Sequence, residues 1–175
     1  MNLELLTKCI PRANATSIEL YGHKLIEAMD AYQINTPQRQ AAFLAQIAHE
    51  SGSLRYVREI ASGAAYEGRK DLGNTEPGDG KRFRGRGLIQ LTGRANYKAI
   101  SDALGYDFVS HPEDLEKPGP ACFSAAWFWE SRGLNELADI DAFDRITRRI
   151  NGGVNGMADR LNHWVTARQA LNVKI

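Results

Sequence analysis

Cysteine is scarce in this sequence: Cys9 and Cys122 are the only two among 175 residues. They lie far apart and form no CxxC pair, so no disulfide ladder or cysteine metal site is encoded. Cys122 falls in an apolar run and reads as a small buried hydrophobe. Synthesis in a reducing compartment is the simpler inference. An excess of one charge is missing too: 22 Lys and Arg against 21 Asp and Glu leave a net charge of +1. That argues against a nucleic-acid binder, which needs a basic excess or stripe. Long apolar runs are absent. No stretch approaches the roughly 20 apolar residues of a membrane span, so no stable membrane insertion is expected. The opening residues, Met1 to Leu6, lack the basic-then-apolar order of a secretory leader. If the substrate lies outside the cytoplasm, the protein needs help to reach it.

Internal repeats, low-complexity stretches and long linkers are also lacking. With 43% apolar and 25% charged residues, the chain suits one folded domain, or two small lobes sharing one core. Helical periodicity dominates. Ser17 can cap a helix over 17–32, with Ile18, Tyr21, Leu25, Ile26, Met29 and Tyr32 in one stripe. Thr36-Pro37 is a strong helix start, and an alanine-rich helix then runs over 38–50 until Gly52 stops it. Its small residues Ala41, Ala45 and Ala48 suit a central, closely packed position. Residues 62–87 carry seven glycines and read as a long irregular excursion, a kind of loop that is usually functional. Residues 88–92 read as a short extended piece. Further helices are expected over 95–104, 121–129, 141–150 and 157–171, the last with Leu161, Trp164 and Leu171 inward. The fold class is therefore mainly α, in one domain with one small β element. The first 35 residues form a helical segment packed on the core.

Glu50 draws attention within His49-Glu50-Ser51-Gly52. A carboxylate at a helix C-terminus meets the negative end of the dipole, and a partly dry cleft would act in the same direction. Both favour the protonated acid that glycosidic cleavage needs. The plain alternative is a surface glutamate at a helix end. Metal binding is not indicated: an HExxH pattern would need histidine where Ser53 stands, and His23, His111 and His163 are scattered. Gly85 and Gly87 are followed by Gln90 rather than glycine, so no dinucleotide fingerprint is present. Alternation over 88–92 places Gln90 and Thr92 together, as a cleft floor or as the wet face of a strand. The basic cluster Lys81, Arg82, Arg84 and Arg86 reads as a solvated loop or as an attraction to an acidic polymer such as a bacterial wall. Trp127, Phe128 and Trp129 read as core. Tyr56, Tyr66 or Tyr97 could stack on a sugar.

Four motifs in this order carry a family resemblance: His49-Glu50-Ser51-Gly52, Tyr66-Glu67-Gly68-Arg69, the long Gly85-Arg86-Gly87-Leu88-Ile89-Gln90-Leu91-Thr92-Gly93-Arg94-Ala95-Asn96-Tyr97, and Ile150-Asn151-Gly152-Gly153. Together they resemble glycoside hydrolase family 19, which holds chitinases and phage endolysins, and the compact chain looks most like an endolysin. The resemblance implies a lysozyme-like bilobal helical fold and an inverting mechanism. It assigns Glu50 as general acid and Glu59 as general base, with Glu67 the rival base or a partner of Arg69 or Arg86. Thr92 would hold the water, and Gln90 and Asn96 the water and the sugar. Asn151 and Arg160 would bind substrate and orient the base. Tyr66 and Glu67 would lie at the sugar.

On that basis the expected enzyme is a monomer that hydrolyses the β-1,4 bond between N-acetylmuramic acid and N-acetylglucosamine in peptidoglycan glycan strands. It would need no metal or organic cofactor and would bind no nucleic acid. It would be made in the host bacterial cytoplasm and reach the wall through a holin-type pore. A chitinase and a lytic transglycosylase are the alternatives.

Overall fold

The computed structural model describes residues 1–174. Its α-helices are α1 (Leu3–Cys9), α2 (Ala15–Ala31), α3 (Pro37–Glu50), α4 (Asp79–Arg82), α5 (Arg94–Leu104), α6 (Pro118–Ser131), α7 (Leu134–Asp139), α8 (Phe143–Asn151) and α9 (Met157–Ala170). Three single 3-10 turns, Ala64–Tyr66, Lys70–Leu72 and Pro112–Glu116, complete the regular structure.

Helix α3 is the central element. Thr36 Oγ1 accepts from Arg39 N at 3.2 Å, and Pro37 takes the first helical position, where a missing N–H costs nothing. Residues 40–48 are all buried, and the alanines among them let α9 lie close along it. Helix α2 packs on α6, and α1 bridges α2, α3 and α9, so the N-terminal segment is built onto the core. The cap of α2 is Asn14, whose side chain accepts from Ser17 N at 2.8 Å. Ser17 is therefore inside the helix and does not cap it: Asn14 has the extended backbone that a cap requires. Tyr21, Leu25 and Met29 form the buried stripe.

After Glu50 the chain turns through three successive residues of positive φ: Gly52 (58°), Ser53 (61°) and Leu54 (66°). Left-handed backbone costs an L-residue about 1–2 kcal/mol. The surroundings hold it in place. Ser51 Oγ donates to Ile47 O at 2.6 Å and accepts from Leu54 N at 2.8 Å, Ser53 N donates to Ala48 O at 2.7 Å, and Leu54 is fully buried.

The excursion over 62–87 is irregular, as its glycines predict, but it is tightly organised by buried polar groups. Asn74 Nδ2 donates to Tyr66 O at 2.9 Å, and Asn74 Oδ1 accepts from Arg94 N at 2.8 Å. Asp79 takes both Arg94 Nε (2.8 Å) and Nη2 (2.6 Å), and that guanidinium holds its carboxyl below the usual range. Buried Arg86 donates to Glu116 at 2.8 Å and to the Tyr97 hydroxyl at 2.9 Å. Tyr97 is core, and burial pushes its phenol up to about 12.

Two further sequence expectations are corrected. Residues 88–92 do not form an extended piece. Gly87 (φ 79°) and Gln90 (φ 58°) close a tight turn, with Leu91 N donating to Arg86 O at 2.9 Å. The β element consists of single antiparallel bridges, Arg58 to Arg86 and Arg86 to Leu91, among the described residues. Alternation fails because Leu88, Ile89 and Leu91 are all buried. In α9, Leu161 points outward and is 38% exposed. The inward face carries Arg160, His163, Ala167 and Arg168 instead. The two arginines tolerate burial because Arg160 meets Glu50 and Arg168 meets Asp141. Trp164 does pack inward, stacked on Phe143 at 4.5 Å between centroids.

Candidate active site

All of the expected site residues except Glu67 fall into two hydrogen-bonded groups. The first is built on α3, α8 and α9. Glu50, the last residue of α3, accepts from Arg160 Nη2 at 2.5 Å, and its side chain is 20% exposed against 3% for Arg160. Two further bonds hold Arg160 around that contact. Its Nη1 donates to Gln46 Oε1 and its Nε to Asn155 O at 3.2 Å. Gln46, fully buried, passes the chain on to Thr147 Oγ1 at 2.8 Å. Asn151 Nδ2 donates to the same Asn155 carbonyl at 3.0 Å. Arg160 thus lies on Glu50, the expected acid. Its bonds to Asn155, Gln46 and Glu50 all lie on the α3–α9 side and use three of its five N–H groups.

A second ladder runs one residue earlier along both helices. His49 Nδ1 meets Asp159 Oδ2 at 2.8 Å, and Asp159 also meets Arg12 at 3.1 Å and His163 at 3.5 Å. His49 and these partners hold the Asp159 carboxyl below its usual range, while burial lowers His163. The His49 ring leaves no room for a side chain at position 156, where an added Cβ would sit 2.3 Å from Cε1; Gly156 has φ 71°. The loop between α8 and α9 is therefore seated on the end of α3.

The second group gathers around Gly85. Glu59 Oε2 accepts from Gly85 N at 3.1 Å and Oε1 from the Tyr66 hydroxyl at 2.8 Å, while Glu59 N donates to Gly85 O at 2.9 Å. Burial, and then the bond to Glu59, raises Tyr66. Gln90 Oε1 and Thr92 Oγ1 lie 3.0 and 3.3 Å from where a Cβ on Gly85 would stand, so both point at the glycine that holds Glu59. Gln90 Nε2 donates to Gly87 O, Thr92 Oγ1 to Gln90 O, and Asn96 Nδ2 to Thr92 O, at 2.9, 3.0 and 2.8 Å.

Glu67 belongs to neither group. It is exposed, and its oxygens accept from Gly78 N at 2.6 Å and Gly80 N at 2.8 Å. It clamps the excursion, and neither ion pair expected for it forms: Arg69 pairs with Asp71 and Arg86 with Glu116. Sequence reasoning missed Gln46, Asp159, Asn74 and Asp79. Gln46 had a signal, being a polar residue on an apolar helix four positions before Glu50, hence on the same face. An open hollow of about 440 Å³ lies beside the second group, with Tyr56, Glu59 and Arg84 in its lining. A separate apolar hollow of about 380 Å³ around Tyr106, Phe108 and Phe123 contains none of the expected residues. No cluster of three or more metal-ligating side chains occurs among the described residues.

Comparison with known proteins gives a consistent result. The family model of glycoside hydrolase 19, chitinase class I, matches residues 27–141. A glycosyl hydrolase family 19 domain-containing protein of Haemophilus influenzae is 34% identical over 154 residues, covering 70% of this chain and 74% of that protein. An endochitinase of Arabidopsis thaliana is 36% identical over 155 residues, covering 84% of this chain. The chain spans only 53% of that plant enzyme's length. Among solved structures, chitinase C from Streptomyces griseus superposes with a TM-score of 0.80 at 28% identity, over 99% of this chain and 77% of that one.

Proposed function

Because the chain belongs to glycoside hydrolase family 19, we propose that it hydrolyses β-1,4 bonds of peptidoglycan with Glu50 as general acid and Glu59 as general base. It is a glycoside hydrolase with the mainly helical, lysozyme-like fold of family 19 chitinases. One observation carries the residue assignment: two carboxylates, each fixed by its own donors, stand at the ends of the short connection 51–58. Glu50 is set by Arg160, and Glu59 by Tyr66 and Gly85 N.

In the proposed reaction Glu50 gives its proton to the leaving glycosidic oxygen. Glu59 takes a proton from a water that attacks the opposite face of the sugar. Inversion needs the two carboxyls roughly 6.5–9.5 Å apart, with that water between them. The Tyr66 hydroxyl and Gly85 N fix the plane of the Glu59 carboxylate and leave its remaining lone pairs for the water. Thr92, aimed at the same glycine, helps hold that water. Gln90, Asn96 and Asn151 each spend their amide N–H on a backbone carbonyl, and their amide oxygens have no protein donor among the described residues. Those three oxygens can accept from the hydroxyl and acetamido N–H groups of N-acetylglucosamine.

Peptidoglycan is favoured over chitin by the free, buried thiols of Cys9 and Cys122, which suit a protein made in a bacterial cytoplasm. Release to the wall would then use a holin-type membrane pore. Turbidity loss of chloroform-treated Gram-negative cells, set against sugar release from colloidal chitin, tests the choice. Faster turnover of chitin would move the assignment to a chitinase on the same scaffold. Mass spectrometry of the wall fragments separates hydrolysis from transglycosylation, because an anhydro product is lighter by one water.

A further inference from the structure

We propose that the hollow beside Glu59 is a carboxylate subsite, in which Arg55, Arg58 and Arg84 hold the acidic peptide stem that peptidoglycan carries on its muramic acid. This rests on the peptidoglycan reading and adds to it the group recognised and the residues that recognise it. The hollow, about 440 Å³, is in the size range of ligand clefts and is lined by Arg55, Tyr56, Arg58, Glu59, Arg84 and Glu116 among others.

Its charge is unbalanced. Glu116 is already bound by Arg86 at 2.8 Å, with Arg58 farther off at 3.9 Å. Glu59 accepts only from the neutral donors Tyr66 and Gly85 N and keeps its charge, which leaves three arginines of the lining against one carboxylate without a cation. Among the described residues Arg55 and Arg84 have no carboxylate within 4 Å, and Arg84 Nε is buried without a hydrogen-bond partner. The cationic surplus is local, since the whole chain is balanced to +1.

Arg84 lines the hollow and has a buried donor without a partner, which calls for an acceptor that the protein does not supply. A guanidinium fork matches a carboxylate in shape and charge. Chitin presents only hydroxyl and acetamido groups and cannot use these forks. A glycan whose lactyl ethers bear acidic peptides presents several carboxylates one sugar substituent away from the scissile bond. Tyr56, 51% exposed, and Ile60, 85% exposed, supply an apolar edge for the stem's alkyl carbons.

The test combines a change in the enzyme with a change in the substrate. kcat/KM is measured for the wild type and for the Arg55→Gln/Arg84→Gln double variant, on intact peptidoglycan and on peptidoglycan whose peptide carboxyls are capped as methylamides. Thermal melts of both proteins accompany the rates. Two partly exposed charge pairs amount to about tenfold in rate constant. The wild type should therefore lose about tenfold on the capped wall. The double variant should lose about tenfold on intact wall and show no further loss on capping. A wild type indifferent to capping, or a variant that falls by the same factor on both walls, overturns the subsite and leaves the peptidoglycan reading intact. A wild type that cuts neither wall overturns both. The capped-wall arm on the wild type decides the matter even if the double variant folds poorly.

Discussion

Glu50 and Glu59 are both held carboxylates, but their partners differ in kind, and so do the expected effects of changing them. Glu50→Gln retains an oxygen for Arg160 but removes the charge that offsets this buried guanidinium, so it should stay folded and melt lower than the wild type. It should lose about two orders of magnitude or more in kcat on peptidoglycan, the scale of a missing general acid. Glu59→Gln should also lose activity severely, because an amide cannot take the water's proton. Glu67→Gln should keep most of its rate and instead melt lower, because Glu67 only receives backbone N–H groups at Gly78 and Gly80. A dead Glu67→Gln beside a nearly silent Glu59→Gln would move the base to Glu67. Arg160→Lys keeps the charge but gives up the fork to Gln46 and Asn155. It should lower stability in urea by about 1–3 kcal/mol.

At the scale of elements, the turn after α3 is where local propensity and fold disagree. Ser53 and Leu54 adopt left-handed backbone that glycine accepts freely. Ser53→Gly should therefore leave stability in urea unchanged or raise it by up to about 1 kcal/mol. A clear loss would mean that the serine side chain, and not only the backbone path, holds the turn. Helix α3 was readable because Thr36, Pro37 and Gly52 are local signals. The irregularity over 62–87 was readable from its glycines. What orders that excursion was not, since Asn74 and Asp79 find Arg94 at separations of 20 and 15 residues. The 88–92 piece was misread because alternation presumes extended backbone, and the positive φ of Gln90 leaves no compositional trace. The roles proposed for Glu50 and Glu59 rest on the family resemblance, and Glu59 lies outside its four motifs. The Arg160 contact to Glu50 spans 110 residues and no local pattern encodes it. Leu161 was placed inward because burial of arginine at 160 and 168 makes sense only once their partners are known.

For the whole molecule, the ionic ladders tie stability to pH. Arg94 lowers Asp79, and His49 leads the groups that lower Asp159. A depressed carboxyl stabilises above its unfolded pKa of about 3.9 and loses that contribution as pH falls through the depressed value. The chain should therefore lose stability progressively below about pH 4. His163 acts in a different window. Its pKa is lowered in the fold by burial, so below about pH 6.5 the unfolded chain takes up the proton first. Stability should decline from about pH 6.5 downward and level off once the folded group titrates. His163→Gln should flatten that slope in urea midpoints measured between pH 5 and 7, and an unchanged slope would assign it to other groups.

With Glu50 as acid and Glu59 as base, water adds directly to the sugar with inversion. Proton NMR of a fresh digest of β-1,4-linked N-acetylglucosamine oligomers or soluble peptidoglycan strands reads that stereochemistry. The anomeric proton at the new reducing end should appear first as the α-anomer, before mutarotation mixes the two forms. A β-anomer first, or an anhydro end with no anomeric hydroxyl, would contradict the paired roles of Glu50 and Glu59.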